Sequence, residues 1–113
     1  MSNEVRKWLT DIAEAIRNTD IHLGGRRDFD EFLSNLTIRR PVERELEIIG
    51  EATNRLLKTD PAIAITNARR IVDLRNRVIH NYDAVDETIV WAVVVKSLPL
   101  LKQEVDDLLN NVA

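Results

Sequence analysis

The sequence contains no cysteine and little glycine, proline or aromatic residue. Its 113 residues include three Gly, three Pro and 4% aromatic residues. Without cysteine, a disulfide framework and a thiolate metal site are excluded, which is typical of a reducing compartment. The two histidines, His22 and His80, are too few for a histidine-based zinc site. We therefore expect neither a metal nor a cofactor, and the scarcity of turn residues argues against a β-sandwich or barrel.

The sequence also lacks a long apolar run. The longest, Ile89–Val95, is far shorter than the roughly 20 residues that span a bilayer. The opening residues MSNEVRKWL contain no apolar stretch of signal-peptide length. We therefore expect a cytoplasmic protein with no membrane association. The length suits a single domain over residues 1–113.

Positive charge is concentrated in one segment of an acidic chain. The net charge is −3, yet residues 66–80 carry one acidic residue against four arginines, namely Arg69, Arg70, Arg75 and Arg77. Residues 81–113 carry two basic and six acidic residues. Because salt screens distant charges, a local basic patch on an acidic protein can still bind phosphate.

Apolar residues recur at helical spacing in four long stretches. They predict helices over about 5–23, from near 37–41 onward, over 67–80, and from a cap at Asp86 to beyond Lys102. Asp28 is typical of the N-cap of a short helix, and Asp60-Pro61 of a further helix start. We predict an all-α antiparallel bundle of four main helices plus short helices. Its last helix should be kinked at Pro99.

The periodicity also predicts which side chains are buried. Ile48 and Ala52 should widen the apolar stripe of the second long helix, while Glu47 and Glu51 should lie on solvated faces. The short helix should bury its apolar residues Phe29, Phe32 and Leu33. Gly50, inside a helix, indicates close approach of either a neighbouring helix or a partner chain, and the sequence does not distinguish them.

The last helix is apolar around nearly its whole circumference. Four helices of a short chain cannot easily enclose one of their own members, so burial against a second copy is the natural solution. A symmetric homodimer is therefore expected.

The stretch from Leu74 to Tyr82 combines the basic segment with a histidine at a helix end. Metal-independent RNA cleavage needs a base for the 2′-OH proton, an acid for the leaving 5′-oxygen, and positive charge for the phosphorane. Histidine titrates near neutral pH and serves as base or acid. Arginine offers a planar donor fork to phosphate. Asn76 lies one helical turn before His80 and could orient its ring or hold a phosphate.

Two considerations temper that interpretation. The helix dipole alone favours histidine at a helix C-terminus, and arginine-rich stretches are commonly solvated. In addition, Arg75 and His80 diverge by about 140° around a regular helix, so they share one small site only if the helix loosens or Arg75 reaches far. A two-fold axis joining two copies of the motif would supply the second proton-transfer group.

At these residues the sequence resembles the HepT-like toxin branch of the HEPN superfamily. The resemblance rests on Arg75-x4-His80-x-Tyr82 and on four further segments in the family's order: 28–33 (DFDEFL), 46–52 (LEIIGEA), 85–91 (VDETIVW) and 98–101 (LPLL). It extends from about Asp11 to Leu109.

The resemblance implies a homodimeric, metal-independent endoribonuclease that is the toxin of a type VII-like toxin–antitoxin system. Arg75 and His80 would be catalytic, with Asn76 in support. A minimal nucleotidyltransferase, MntA, would silence the toxin by adding AMP to Tyr82. The RNA would be tRNA or mRNA.

Aromatic residues are few, and Tyr82 is the only one near the motif in sequence, so we expect RNA to be bound mainly by arginines. Candidates are Arg69, Arg70, Arg77, Arg40 and Arg44, with Arg39 beside them. The alternatives are a non-catalytic helical dimer that binds a nucleotidyltransferase or nucleotide, and a module that binds RNA without cleaving it.

Overall fold

The structure, a computed structural model, describes residues 1–80 and 86–111, with every side chain in those ranges except those of residues 77–80. Its elements are α1 (Asn3–His22), α2 (Phe29–Ser34), α3 (Leu36–Thr59), α4 (Ala68–His80), α5 (Glu87–Ala92), a π-helical turn (Val93–Ser97) and α6 (Leu98–Asn110). The described residues contain no strand, so the all-α prediction is confirmed.

Most helices begin where a short polar side chain can cap them. Ser2, Asp28, Asn35 and Asp86 each accept a hydrogen bond from a first-turn backbone amide at 2.9–3.1 Å. After α1, Gly24 adopts a φ of 65°, a left-handed conformation that stops the helix at little steric cost. The predicted starts near Asp28 and at Asp86 and the predicted stop at Gly24 are confirmed.

Helix α3 is the centre of the bundle, because α1 packs on it from one side and α4 from another, while α1 also contacts α6. The core consists of apolar residues at helical spacing from every helix. Among those fully or almost fully buried are Leu9, Ile12, Phe32, Val42, Ile49, Leu56, Val90, Val94, Leu101 and Val105. Trp91 pins α5 to α2 by packing on Phe29 and Phe32, with ring centroids 5.8 and 5.1 Å apart.

Two predicted core residues are on the surface. Leu33 is 42% exposed because the short α2 presents Phe32 rather than Leu33 to the core. Ile48 is 37% exposed and lines a groove, whereas Ala52, predicted with it, is buried. Both errors concern positions at the edge of an apolar stripe, where the exact crossing of the helices decides burial.

The helix start predicted at Asp60-Pro61 is wrong. Asp60 ends α3, and its carboxylate accepts a hydrogen bond from the Ala62 amide at 3.2 Å within a turn. Further along, Glu104 of α6 accepts from both the amide and the hydroxyl of Thr66. Asn67 then takes a φ of 60°, and α4 starts at the next residue, as predicted from the apolar spacing. A tertiary contact with α6 thus holds this segment out of a helix.

The last helix is continuous from Glu87 to Asn110 and changes to a π-helical turn just before Pro99, where the sequence predicted a kink. Proline has no amide hydrogen, and its ring clashes with the carbonyl four residues back in an α-helix. The chain widens into a π-helical turn in which the Leu98 amide donates to the Val93 carbonyl, five residues back. Pro99 then occupies the first turn of α6, where its missing donor costs little.

One side of the segment formed by α5, the π-helical turn and α6 is not covered by the chain's own described residues. Ile89, Val95 and Leu100 are 41%, 38% and 44% exposed, and Ala92 is also exposed. We name these four residues the apolar stripe. Its exposure is the feature that a second copy of the chain was predicted to cover.

Candidate active site

The site is built where α3 crosses α4. A Cβ atom on Gly50 would lie 2.2 Å from Cβ and 2.6 Å from Cγ of Arg75, closer than any side chain tolerates. Gly50 therefore lets the Arg75 stem lie directly on the α3 backbone. Of the two explanations for Gly50, the neighbouring helix of the same chain is the one the structure supports.

Two neighbours hold the guanidinium of Arg75. Its Nη2 lies 2.8 Å from Oε2 of Glu51, and its Nη1 donates to Oδ1 of Asn76 at 2.9 Å. Glu51 is itself held by Arg55, whose Nε lies 3.0 Å from Oε1. The Arg75 side chain is 25% exposed, so the head is neither sealed in the core nor fully solvated. A planar fork fixed on two sides has little conformational freedom left to lose when it binds an anion.

The Nε donor of this guanidinium has no hydrogen-bond partner among the described atoms. This nitrogen is buried, and an unsatisfied buried donor costs stability.

Helix α4 remains α-helical through His80. Positions 75 and 80 thus keep the 140° or so of angular separation that a regular helix imposes, and the chain does not loosen to bring them together. The side chains of His80 and Arg77, the burial predicted for Val78, and all of Tyr82 lie outside the described residues.

The other predicted RNA-binding arginines are distributed over separate surfaces. Arg44 and Arg75 line the same groove, which has a volume of about 590 Å³. Arg69 and Arg70 line a second groove of about 550 Å³ between α4 and α5, whose apolar residues include Ile89 and Val93. Arg40 is exposed on α3, and Nε of Arg39 lies 3.9 Å from Oε1 of Glu43.

A pair of acidic residues lies near the N-terminal half of α3. Burial raises the pKa of Glu43 above its ordinary value, while Arg39 and Arg40 oppose the shift. Burial also raises the pKa of Glu87, and the charge of Glu43 raises it further. Oε2 of Glu87 is buried without a partner among the described atoms. The two carboxylates therefore repel each other, and their burial carries an electrostatic cost.

Sequence reasoning missed two residues of the site. Glu51, placed on a solvated face, contacts Arg75 across the helix crossing. Trp8, far from the motif in sequence, lines the groove beside Arg75. Tyr82 is therefore not the only aromatic residue to consider near the motif. Neither residue carries a signal in the sequence, because both contacts depend on how α1 and α4 lie against α3.

The fold and site define a class: a small all-α protein with an anchored arginine and a partly cationic groove. The family model described as Ribonuclease HepT-like matches residues 11–108, and the chain belongs to this family. The resemblance found in the sequence is thereby confirmed. The family, with the names of its relatives, indicates a ribonuclease.

Relatives at moderate identity cover nearly the whole chain. A protein of Methanocaldococcus jannaschii named "Putative RNase" is 37% identical over 105 residues, which are 91% of this chain and 94% of that protein. A protein of Thermococcus cleftensis named "Probable ribonuclease HepT" is 32% identical over 112 residues, covering 96% and 98%. No solved structure matches the chain. No helix within the described ranges is long and apolar enough to cross a membrane.

Proposed function

We propose that this protein is a metal-independent endoribonuclease and the toxin of a type VII-like toxin–antitoxin system. The observation that carries the proposal is the anchored guanidinium of Arg75. This residue belongs to α4, the helix of His80, and lines the groove between α1 and α3. Family membership makes RNA the expected substrate, either tRNA or mRNA.

The proposed reaction is an internal transesterification. The imidazole of His80 takes the 2′-OH proton, and the 2′-oxygen attacks the adjacent phosphorus. The bond to the 5′-oxygen breaks, and that oxygen receives a proton from a second imidazole. The products are a 2′,3′-cyclic phosphate and a 5′-hydroxyl. Arg75 stabilises the negative charge of the phosphorane, and Asn76 supports Arg75 through their hydrogen bond.

A homodimer supplies the second imidazole. Each chain has one histidine in the motif, and α4 keeps positions 75 and 80 on different sides of the helix. A two-fold axis that passes between two copies of the motif brings Arg75 of one copy toward His80 of the other. The apolar stripe gives a second, independent reason for pairing.

The RNA backbone is bound by the arginines outside the catalytic pair: Arg69, Arg70, Arg77, Arg40 and Arg44. Binding through phosphate contacts releases counterions, so affinity falls steeply with salt and depends little on base identity. An affinity that is unchanged between low and physiological salt would contradict this part of the proposal.

Silencing occurs at Tyr82. A minimal nucleotidyltransferase of the MntA kind transfers AMP from ATP to the phenol oxygen and releases pyrophosphate. The added phosphate brings bulk and negative charge close to the motif, where it competes with RNA. Intact-mass measurement after co-expression should show an increase of about 329 Da per AMP, and Tyr82→Phe should abolish it.

The decisive experiment is cleavage of RNA by AMP-free protein in the presence of a chelator. Wild-type protein should cleave, and His80→Ala and Arg75→Ala should each lower the rate by about 100-fold or more. Arg17→Ala, a change on the exposed face of α1, is the matched control and should leave the rate unchanged.

Intact RNA after incubation with AMP-free wild-type protein would overturn the enzymatic assignment. The result would then favour a non-catalytic helical dimer that binds a nucleotidyltransferase, a nucleotide or RNA.

A further inference from the structure

The groove beside Arg75 combines an aromatic side chain with several cations. It lies between the N-terminal half of α1 and the middle of α3, and its volume of about 590 Å³ is within the range of small-ligand sites. Its apolar surface includes Trp8, which is half-buried, and Ile48, which is 37% exposed. The residues lining it are Lys7, Trp8, Asp11, Arg44, Glu47, Ile48, Glu51, Ala52, Arg55 and Arg75.

Most carboxylates of the groove are already neutralised. Asp11 lies 2.9 Å from Nζ of Lys7, and Glu51 contacts both Arg55 and Arg75. Arg44 forms no ion pair within the described part of the chain and is exposed. Its guanidinium is therefore available to contact a phosphate in addition to the one that Arg75 would bind. Glu47 supplies an acceptor for the amino group of a base.

We propose that this groove binds one nucleotide of the RNA beside the scissile phosphate, with its base on Trp8 and its phosphate at Arg44. The inference rests on the proposed function, since Arg75 joins the groove to the catalytic centre. Stacking on an indole suits any base, because every base has a π-face. The subsite thus gives affinity and positions the strand with little sequence preference.

The charges of the groove favour a nucleotide over a second copy of the chain. Protein interfaces are depleted of charge at their cores, whereas seven of the ten residues lining this groove are charged. The apolar stripe offers a copy of the chain a surface of four apolar side chains, Ile89, Ala92, Val95 and Leu100. An aromatic face flanked by arginine matches instead the two parts of a nucleotide, its base and its phosphate.

The test uses the intrinsic fluorescence of Trp8. The chain has two tryptophans, and Trp91 packs on Phe29 and Phe32, so Trp91→Phe leaves Trp8 as the single reporter. Titration with a 2′-O-methyl RNA dodecamer, which cannot be cleaved at its 2′-oxygens, should quench the Trp8 emission. The same RNA, labelled and followed by anisotropy, gives Kd for the variants.

We expect Trp8→Ala to raise Kd by about tenfold and Trp8→Phe to raise it less, because a smaller aromatic ring still stacks. Arg44→Ala should raise Kd and reduce the slope of log Kd against log salt by about one. Arg17→Ala, on α1 but outside the groove, should change neither quantity.

Anisotropy that reports binding without any change in Trp8 emission would overturn the proposal. So would an emission that shifts with protein concentration and not with RNA, because a second copy would then occupy the groove. Cleavage assays separate this inference from the proposed function. If wild-type protein cleaves RNA and Trp8→Ala and Arg44→Ala leave KM unchanged, the groove assignment fails and the ribonuclease stands. If RNA quenches Trp8 but is never cleaved, the ribonuclease fails and the groove assignment stands.

Discussion

At the scale of single residues, the anchoring of Arg75 is the feature on which the proposed function depends most. Charge composition marks four arginines between residues 66 and 80 of an otherwise acidic chain, and the family resemblance is what singles out Arg75 among them. Its partner Glu51 cannot be identified in this way. That contact depends on the register between α3 and α4, and Gly50 sets this register by allowing the two helices to approach closely. In the sequence, Gly50 indicates a close approach but not which helix makes it.

Glu51 is expected to act by positioning Arg75. Glu51→Gln keeps the size and one acceptor but removes the charge that fixes the guanidinium. We expect kcat for RNA cleavage to fall by about tenfold, with a smaller change in KM, because misorientation chiefly affects the transition state. Stability should change by less than about 1 kcal/mol, as for other exposed ion pairs.

Arg26→Gln is the matched control for this substitution. It removes an ion pair of the same 2.8 Å length, with Glu31, in a different part of the chain. Equal losses of kcat in Glu51→Gln and Arg26→Gln would show that Glu51 has no specific role.

At the scale of helices, periodicity predicts the bundle well. The end of α1 follows from Gly24, the start of α4 from apolar spacing and the start of α5 from the Asp86 cap. The π-helical turn before Pro99 follows from proline chemistry. The Asp60-Pro61 error has a different origin. Asp60-Pro61 is a strong local signal for a helix start. The Thr66 amide, however, donates a hydrogen bond to Glu104, which is 38 residues away in sequence. Local propensity cannot anticipate such a contact.

The substitution Gly50→Ala tests the close approach of α3 and α4. Alanine normally stabilises a helix interior by about 1 kcal/mol relative to glycine. Here the new Cβ would collide with the Arg75 stem and push α4 away, so we expect a net loss of about 1–3 kcal/mol in the free energy of unfolding, measured by urea denaturation. Asn18→Ala, exposed on α1, serves as the control for helix propensity and should be neutral or slightly stabilising. A Gly50→Ala protein more stable than wild type would contradict the close approach.

The partly buried carboxylate of Glu43 on α3 should make stability depend on pH. Because burial raises the folded-state pKa of Glu43, ionisation is harder in the folded than in the unfolded protein. The resulting loss of stability is absent below the pKa that Glu43 has in the unfolded protein. It grows as the pH rises from that value through the pKa of Glu43 in the folded protein. Glu43→Gln removes it, so its Tm should exceed that of wild type at pH 7 and approach that of wild type at pH 4. Melting curves at the two pH values measure the difference, and a Tm advantage larger at pH 4 would have the wrong sign.

At the scale of the whole molecule, the described chain leaves two features incomplete. The apolar stripe stays in contact with solvent, and α4 holds positions 75 and 80 on different sides of one helix. A proposed two-fold dimer resolves both, since it covers the stripe and pairs an arginine of one copy with a histidine of the other. Burial of apolar surface would then be a condition of catalysis as well as of stability.

Val95→Glu tests this link. A carboxylate in the apolar stripe would be desolvated on pairing, so sedimentation at micromolar concentration should show a dimer for wild type and a monomer for Val95→Glu. Circular dichroism should still report a helical protein, because Val95 is 38% exposed within one chain. RNA cleavage should be lost with the dimer and recover as the variant is concentrated.

Ile21→Glu is the matched control. Ile21 is 66% exposed on α1, outside the stripe, and its substitution should leave both the dimer and the activity intact. A monomeric Val95→Glu protein with full activity would show that one chain carries a complete site, and the composite arrangement would have to be abandoned.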